Sequence, residues 1–160
     1  MSYFVRAFCT DSMVPELNKV IQWLQQKGYN ISLDQQVVQT DACSPDWNQA
    51  AVVYKQGKMP IIVECNKDTG SEDCLMKEEI DEFLEFVGSP GLSLQKRAVV
   101  KHLKKTKYII ACRLPTTDID DDGYKINNIF LDYFVEHHGG LIQADAEGFY
   151  KGNNLIVKCD

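Results

Sequence analysis

Oxygen-bearing side chains recur at alternate positions in Asp118-Ile119-Asp120-Asp121-Asp122-Gly123, the opening of a D-x-D-x-D-G calcium loop. Hard cations take carboxylate oxygens, and the glycine permits the sharp turn between ligands. The bidentate glutamate that such a loop requires at its twelfth position falls on Ile129, which has no oxygen to give. Calcium or magnesium contact through Asp118, Asp120 and Asp122 is therefore the one cofactor expectation, and tight binding is not expected. The same acids precede a helical pattern, where each is favoured by about 0.3–1 kcal/mol at the positive end of the helix dipole.

Other chemistry-bearing residues are sparse. His137 and His138 are adjacent, so on a helix they point about 100° apart and do not clamp one metal as an i, i+4 pair would. At a helix C-terminus before Gly139 they are well placed without a ligand. His102 lies in a lysine-rich helix and is expected to be solvated. Cys112 beside a histidine of the last helix would make a nucleophile, but a cysteine in a strand ordinarily packs. Asp34 and Asp145 end comparable strands and, if close, would tune one another as acid and base. Aspartate at a strand end is also a turn former. Neither phosphate-binding glycine loop, G-x-G-x-x-G or G-x-x-x-x-G-K-[ST], is present.

Charge is sorted along the chain. Glu78, Glu79, Glu82 and Glu85 crowd one helix, and Lys96, Arg97, Lys101, Lys104 and Lys105 the next. The acidic face is expected to meet a basic protein partner; as exposed pairs, opposed charges contribute only about 0–1 kcal/mol each. A formal net charge of −6 repels nucleic-acid backbone and anionic membrane, so neither is expected as a partner.

The elements that must position these groups follow from periodicity. Tyr3–Thr10 reads as a strand. Leu17, Val20, Ile21 and Leu24 form a helical stripe stopped by Gly28, with Asp11-Ser12 as a cap and Pro15 near the first turn. A strand over Ile31–Gln39 follows, then a loop over Thr40–Asp46. Ala50–Tyr54 and Pro60–Cys65 form a hairpin around Gln56-Gly57-Lys58. Met76, Ile80, Phe83, Leu84 and Val87 share one helical face, broken by Gly88-Ser89-Pro90-Gly91. Ser93–Lys105 is a second helix, Tyr108–Leu114 a strand, Lys125–His138 a helix, and Leu141–Ala144 and Leu155–Cys159 strands. Gly139-Gly140 and Gly148-Phe149-Tyr150 bracket the Leu141–Ala144 strand, either as places where a ligand approaches the backbone closely or as a helix stop and a hairpin corner.

The early unit, Val20–Gly28 into Ile31-Ser32-Leu33-Asp34, matches the late one, Leu131–Gly139 into Ile142-Gln143-Ala144-Asp145. The expected architecture is thus a single compact α+β domain of about four helices on a mixed or antiparallel sheet. It is built from two similar halves, 1–90 and 91–160, with a seam between them. That arrangement resembles duplicated α+β ligand-binding domains, a likeness of topology without a diagnostic motif, and it implies a groove lined by aromatics such as Trp47, Tyr54, Phe149 and Tyr150.

Composition bounds the function. With 160 residues and 44% hydrophobic content the chain can bury one core. No apolar run reaches the roughly 18 residues of a membrane span. The start, Met1-Ser2-Tyr3-Phe4-Val5-Arg6, lacks a secretion signal, and the six cysteines show no C-x-x-C pair, which favours reduced thiols and a cytoplasmic location. The leading expectation is a non-catalytic acidic binding or inhibitor module. A small-ligand sensor using the groove comes next, then a divalent-metal hydrolase using the Asp118–Asp122 loop.

Overall fold

The computed structural model describes residues 2–34 and 42–159. In chain order they form β1 (Tyr3–Cys9), α1 (Leu17–Gln26), β2 (Ser32–Leu33), β3 (Gln49–Val53), β4 (Ile61–Lys67) and α2 (Leu75–Val87). There follow α3 (Leu94–Lys105), β5 (Tyr108–Leu114), α4 (Asp121–His138), β6 (Gly140–Ala144), β7 (Gly148–Lys151) and β8 (Asn154–Lys158). Every strand pairing is antiparallel, in one sheet ordered β2-β3-β4-β5-β1-β6-β7-β8. The chain is a single α+β domain.

Helices cover both faces of the sheet, so side chains of the central strands are apolar in both directions. Val5, Ala7 and Cys9 of β1, and Tyr108, Ile110, Cys112 and Leu114 of β5, enter a core beneath α1 and α4. Phe8 and Ile109 point the other way, into a core beneath α2 and α3. There Phe8 and Phe83 meet edge-on with centroids 5.4 Å apart, and Phe149 closes the cluster. Both cores draw residues from each side of Gly88.

The helices form for local reasons. Leu17, Val20, Ile21 and Leu24 are all buried, and each is worth about 1.5–3 kcal/mol of transfer free energy. Ser93 caps α3 by accepting from the Lys96 amide, and Asp120 caps α4 by accepting from the Gly123 amide. The helix α4 therefore starts at Asp121, one turn before the expected Lys125, because the acidic run supplies its cap and first turn. Asp11 does not cap α1. It accepts from the Met13 amide and from His138, and Pro15 lies two residues outside the helix.

Two further expectations differ from the structure. The second strand is only Ser32–Leu33; residues 35–39 of the expected Ile31–Gln39 segment, and 40–41 of the expected loop, lie outside the described residues. Gly148–Lys151 is a strand rather than a corner, because Phe149 has a core to enter.

The expected repeat of the two halves is not carried in chain order. Equivalent halves would place β2 and β6 alike, yet β6 lies against β1 while β2 lies at the far edge. Gly28 and Gly139 both end helices with positive φ, but in different surroundings. Gly28 is open, whereas a Cβ on Gly139 would collide with the Thr10 hydroxyl. The late junction is pinned to β1 by Thr10 and Asp11 amides donating to the Gly139 and His138 carbonyls.

Candidate functional site

The register of the sheet assembles a cleft that is absent from any linear motif. Tyr3 pairs with Leu114, Val5 with Ala144, and Ile142 with Tyr150, so six side chains from β1, β5, β6 and β7 form one floor. Over it lies the second stripe of α4, Tyr124, Asn127, Asn128, Leu131 and Asp132, at i, i+3, i+4, i+7 and i+8. The space between is about 390 Å³, large enough for a small organic molecule.

The polar groups of this cleft are specific. Tyr3 and Tyr150 hydroxyls both donate to the Glu147 carboxylate, Tyr150 at 2.6 Å to Oε1. Burial, then the hydrogen bond to Glu147, holds the Tyr3 hydroxyl protonated well above the usual phenol range. The Tyr150 hydroxyl is raised as well, with the hydrogen bond to Glu147 as the main cause. Across the cleft, partial burial and then the nearby Glu136 raise the Asp132 carboxyl above the ordinary carboxylate value. Glu147 follows Ala146, whose φ of 61° is left-handed and costs a non-glycine residue about 1–2 kcal/mol. That turn brings Glu147 to both tyrosines.

Asn127 is the least expected member. It is buried at 1% exposure in the same stripe as Leu131, and its Oδ1 meets no donor. An unsatisfied buried acceptor costs about 1–3 kcal/mol.

Of the four aromatics expected to bind ligand, only Tyr150 lines this cleft. Trp47 is buried in the core beneath α1 and donates its indole N–H to the Pro15 carbonyl at 2.9 Å. Phe149 belongs to the opposite core. Tyr54 packs beneath Gly123 at the start of α4, its buried hydroxyl near Asp120 without a well-formed hydrogen bond. Sequence reasoning missed Tyr3, Tyr124, Asn127, Asp132 and Glu147. The one readable signal was Asn127, an amide at a position where the stripe calls for a hydrocarbon.

The acidic loop is occupied by protein donors. Asp118 accepts from the Met59 amide at 2.6 Å and faces Lys58 at 3.6 Å. Asp120 and Asp122 share Lys55 Nζ at 2.9 and 3.1 Å, and that hydrogen bond is the main cause lowering the Asp120 carboxyl below its usual value. Among the described residues no three His, Cys, Asp or Glu side chains are grouped to hold a metal ion.

Remaining candidates are separated. Asp34 and Asp145 directly follow strands five positions apart in the sheet, about 24 Å at ordinary strand spacing. Cys112 is fully buried, which pushes its thiol far above the usual value. His102 is half-buried and donates from Nε2 to the Phe8 carbonyl at 2.7 Å, so it is not a solvated surface group. His138 donates from Nδ1 to Asp11 at 3.1 Å.

On α2 the four glutamates part company. Glu78, Glu82 and Glu85 are exposed, but Glu79 turns inward to Arg6 Nε at 2.9 Å and accepts from Asn66. Arg6 also reaches Gln143 at 2.8 Å and Asp145 at 2.7 Å, and its guanidinium lies 5.0 Å and 5.2 Å from the Phe4 and Phe83 ring centroids. No ion pair joins α2 to α3 among the described residues. Likewise no helix there is long and apolar enough to cross a membrane. No protein-family model matches the chain, and comparisons with curated proteins and with solved structures return no match either.

Proposed function

We propose that this chain binds a small organic molecule in the cleft between α4 and the β1–β6–β7 floor, as a ligand-responsive module. The observation that carries this reading is Asn127, a buried amide oxygen without a donor in the wall of a cavity of about 390 Å³. An apolar floor with a few convergent polar groups is the usual make-up of a ligand pocket. Thermal-shift screening against a metabolite library tests it, because a ligand that prefers the folded state raises the melting temperature by mass action. Hits that vanish in Asn127→Leu are expected. A library that never shifts the wild-type protein, or hits indifferent to Asn127→Leu, would remove the reading.

A second reading rests on α2. Glu82 and Glu85 flank Phe86, which is 55% exposed, and Leu92 and Leu94 beyond the helix break are 94% and 77% exposed. Exposed apolar side chains beside exposed acids in the sequence suit a basic amphipathic partner. Stoichiometric capture at low salt, lost in a Glu82→Lys/Glu85→Lys/Phe86→Ser variant, is the expected result. Equal capture by that variant would count against it.

A further inference from the structure

We infer that the ligand of this cleft is an organic cation bearing N–H groups on an apolar body, an inference that rests on the ligand-binding reading above. The charge of the lining is one-sided. Asp132 and Glu147 stand at its rim on opposite walls, and none of its lining residues is Lys, Arg or His. A bound carboxylate or phosphate would face two carboxylates with no cation to offset them, in a partly closed space where charges are poorly screened. Tyr3, Tyr124 and Tyr150 add three aromatic rings, whose electron-rich faces attract cations.

Hydrogen-bonding capacity points the same way. The Glu147 carboxylate takes one hydroxyl on each oxygen, which leaves half of its roughly four acceptor sites open. Asn127 Oδ1 is an acceptor with no donor at all. A primary or secondary ammonium, or a guanidinium, supplies donors to such a site together with the compensating charge. Its apolar body would lie on Val5, Leu114 and Ala144, which are buried in the floor. The cation is thus read by the rim and the hydrocarbon by the floor.

Four probes on one scaffold separate the terms by calorimetry: naphthylethylammonium, its trimethylammonium analogue, naphthylethanol and naphthylacetate. The primary ammonium is expected to bind at least about tenfold tighter than the alcohol, and the acetate weakest. Asp132→Asn/Glu147→Gln should lower the ammonium's affinity by at least about tenfold, toward that of the alcohol, with a cooperative unfolding transition showing that the fold is intact. The trimethylammonium probe, which has no N–H, should lose affinity relative to the primary ammonium. Alcohol or acetate binding as tightly as the ammonium would overturn the cation class while leaving ligand binding in place. Binding of none of the four at millimolar concentration would overturn the cation inference, and the Asn127→Leu screen then decides separately whether the cleft binds anything.

Discussion

The buried arginine offers the sharpest test of the electrostatics. Arg6 and Glu79 side chains are each only 14% exposed, and Arg6 is the sole cation facing Glu79, Asp145 and Gln143 among the described residues. Burial is the main cause raising the Glu79 carboxyl above its ordinary value; Arg6 opposes the rise, and Glu64 adds to it. The two partners are therefore unequal. Removing the carboxylate in Glu79→Gln leaves Arg6 with Asp145 and Gln143 and relieves a charge the fold already disfavours, so the cost is expected below about 1 kcal/mol. Removing the guanidinium in Arg6→Met keeps the stem but strands Glu79 and Asp145 beside one another's field, at about 3–4 kcal/mol at pH 7. In a Glu79→Gln background the arginine substitution should cost about 1–2 kcal/mol less.

The pH dependence has a definite sign. In Arg6→Met the folded Glu79 pKa rises further above its unfolded value, so the folded state binds more protons and stability falls as pH rises through that window. The cost of Arg6→Met should accordingly be smallest near the ordinary carboxylate range and grow toward neutrality. Urea unfolding followed by Trp23 and Trp47 fluorescence, with unchanged m-values, measures all three variants. If Glu79→Gln proves as damaging as Arg6→Met, or the arginine cost is flat with pH, the account of this network is wrong.

Three further outcomes are expected. Gly148 has φ of 139° and a Cβ there would collide with the Val157 carbonyl oxygen, so Gly148→Ala should lose at least about 2 kcal/mol in urea titration as the β7–β8 pairing is forced apart. Asp120→Asn keeps a capping oxygen but removes the charge held by Lys55; because that carboxyl is lowered in the fold, its contribution is present above the unfolded value of 3.8 and lost as pH falls through the folded one. The variant and wild-type urea midpoints should therefore differ at neutral pH and converge in acid. Thiol labelling of the native protein should find Cys43, which is exposed, reacting first, while Cys9, Cys65 and Cys112 resist until unfolding, burial having pushed Cys65 up to about 12 and the other two beyond.

Much of the fold was legible because its elements are locally consistent. The stripe of Leu17, Val20, Ile21 and Leu24, the break at Gly88–Gly91 and the run Tyr108–Leu114 each point to one conformation. The misreadings share a cause. Lys125 was taken as the start of α4 because the acids before it carry no apolar periodicity, yet Asp120 caps through one hydrogen bond to Gly123. Phe149 was read as groove-lining because aromatic type says nothing about which core a strand residue enters.

Composition, helix stripes and strand alternation, all short-range properties of the chain, determined an α+β domain with about four helices and a reserve of acid. Strand order and the choice of face were left to tertiary structure, since pairing β1 between β5 and β6 depends on contacts about a hundred residues apart or more. That pairing brings Tyr3 to Glu147, and the helices packed on the sheet turn Glu79 onto Arg6 and set Asn127 at the wall of the cleft. A linear code carries no signal for such a meeting, because each residue is locally ordinary and becomes a site only through its neighbours in space.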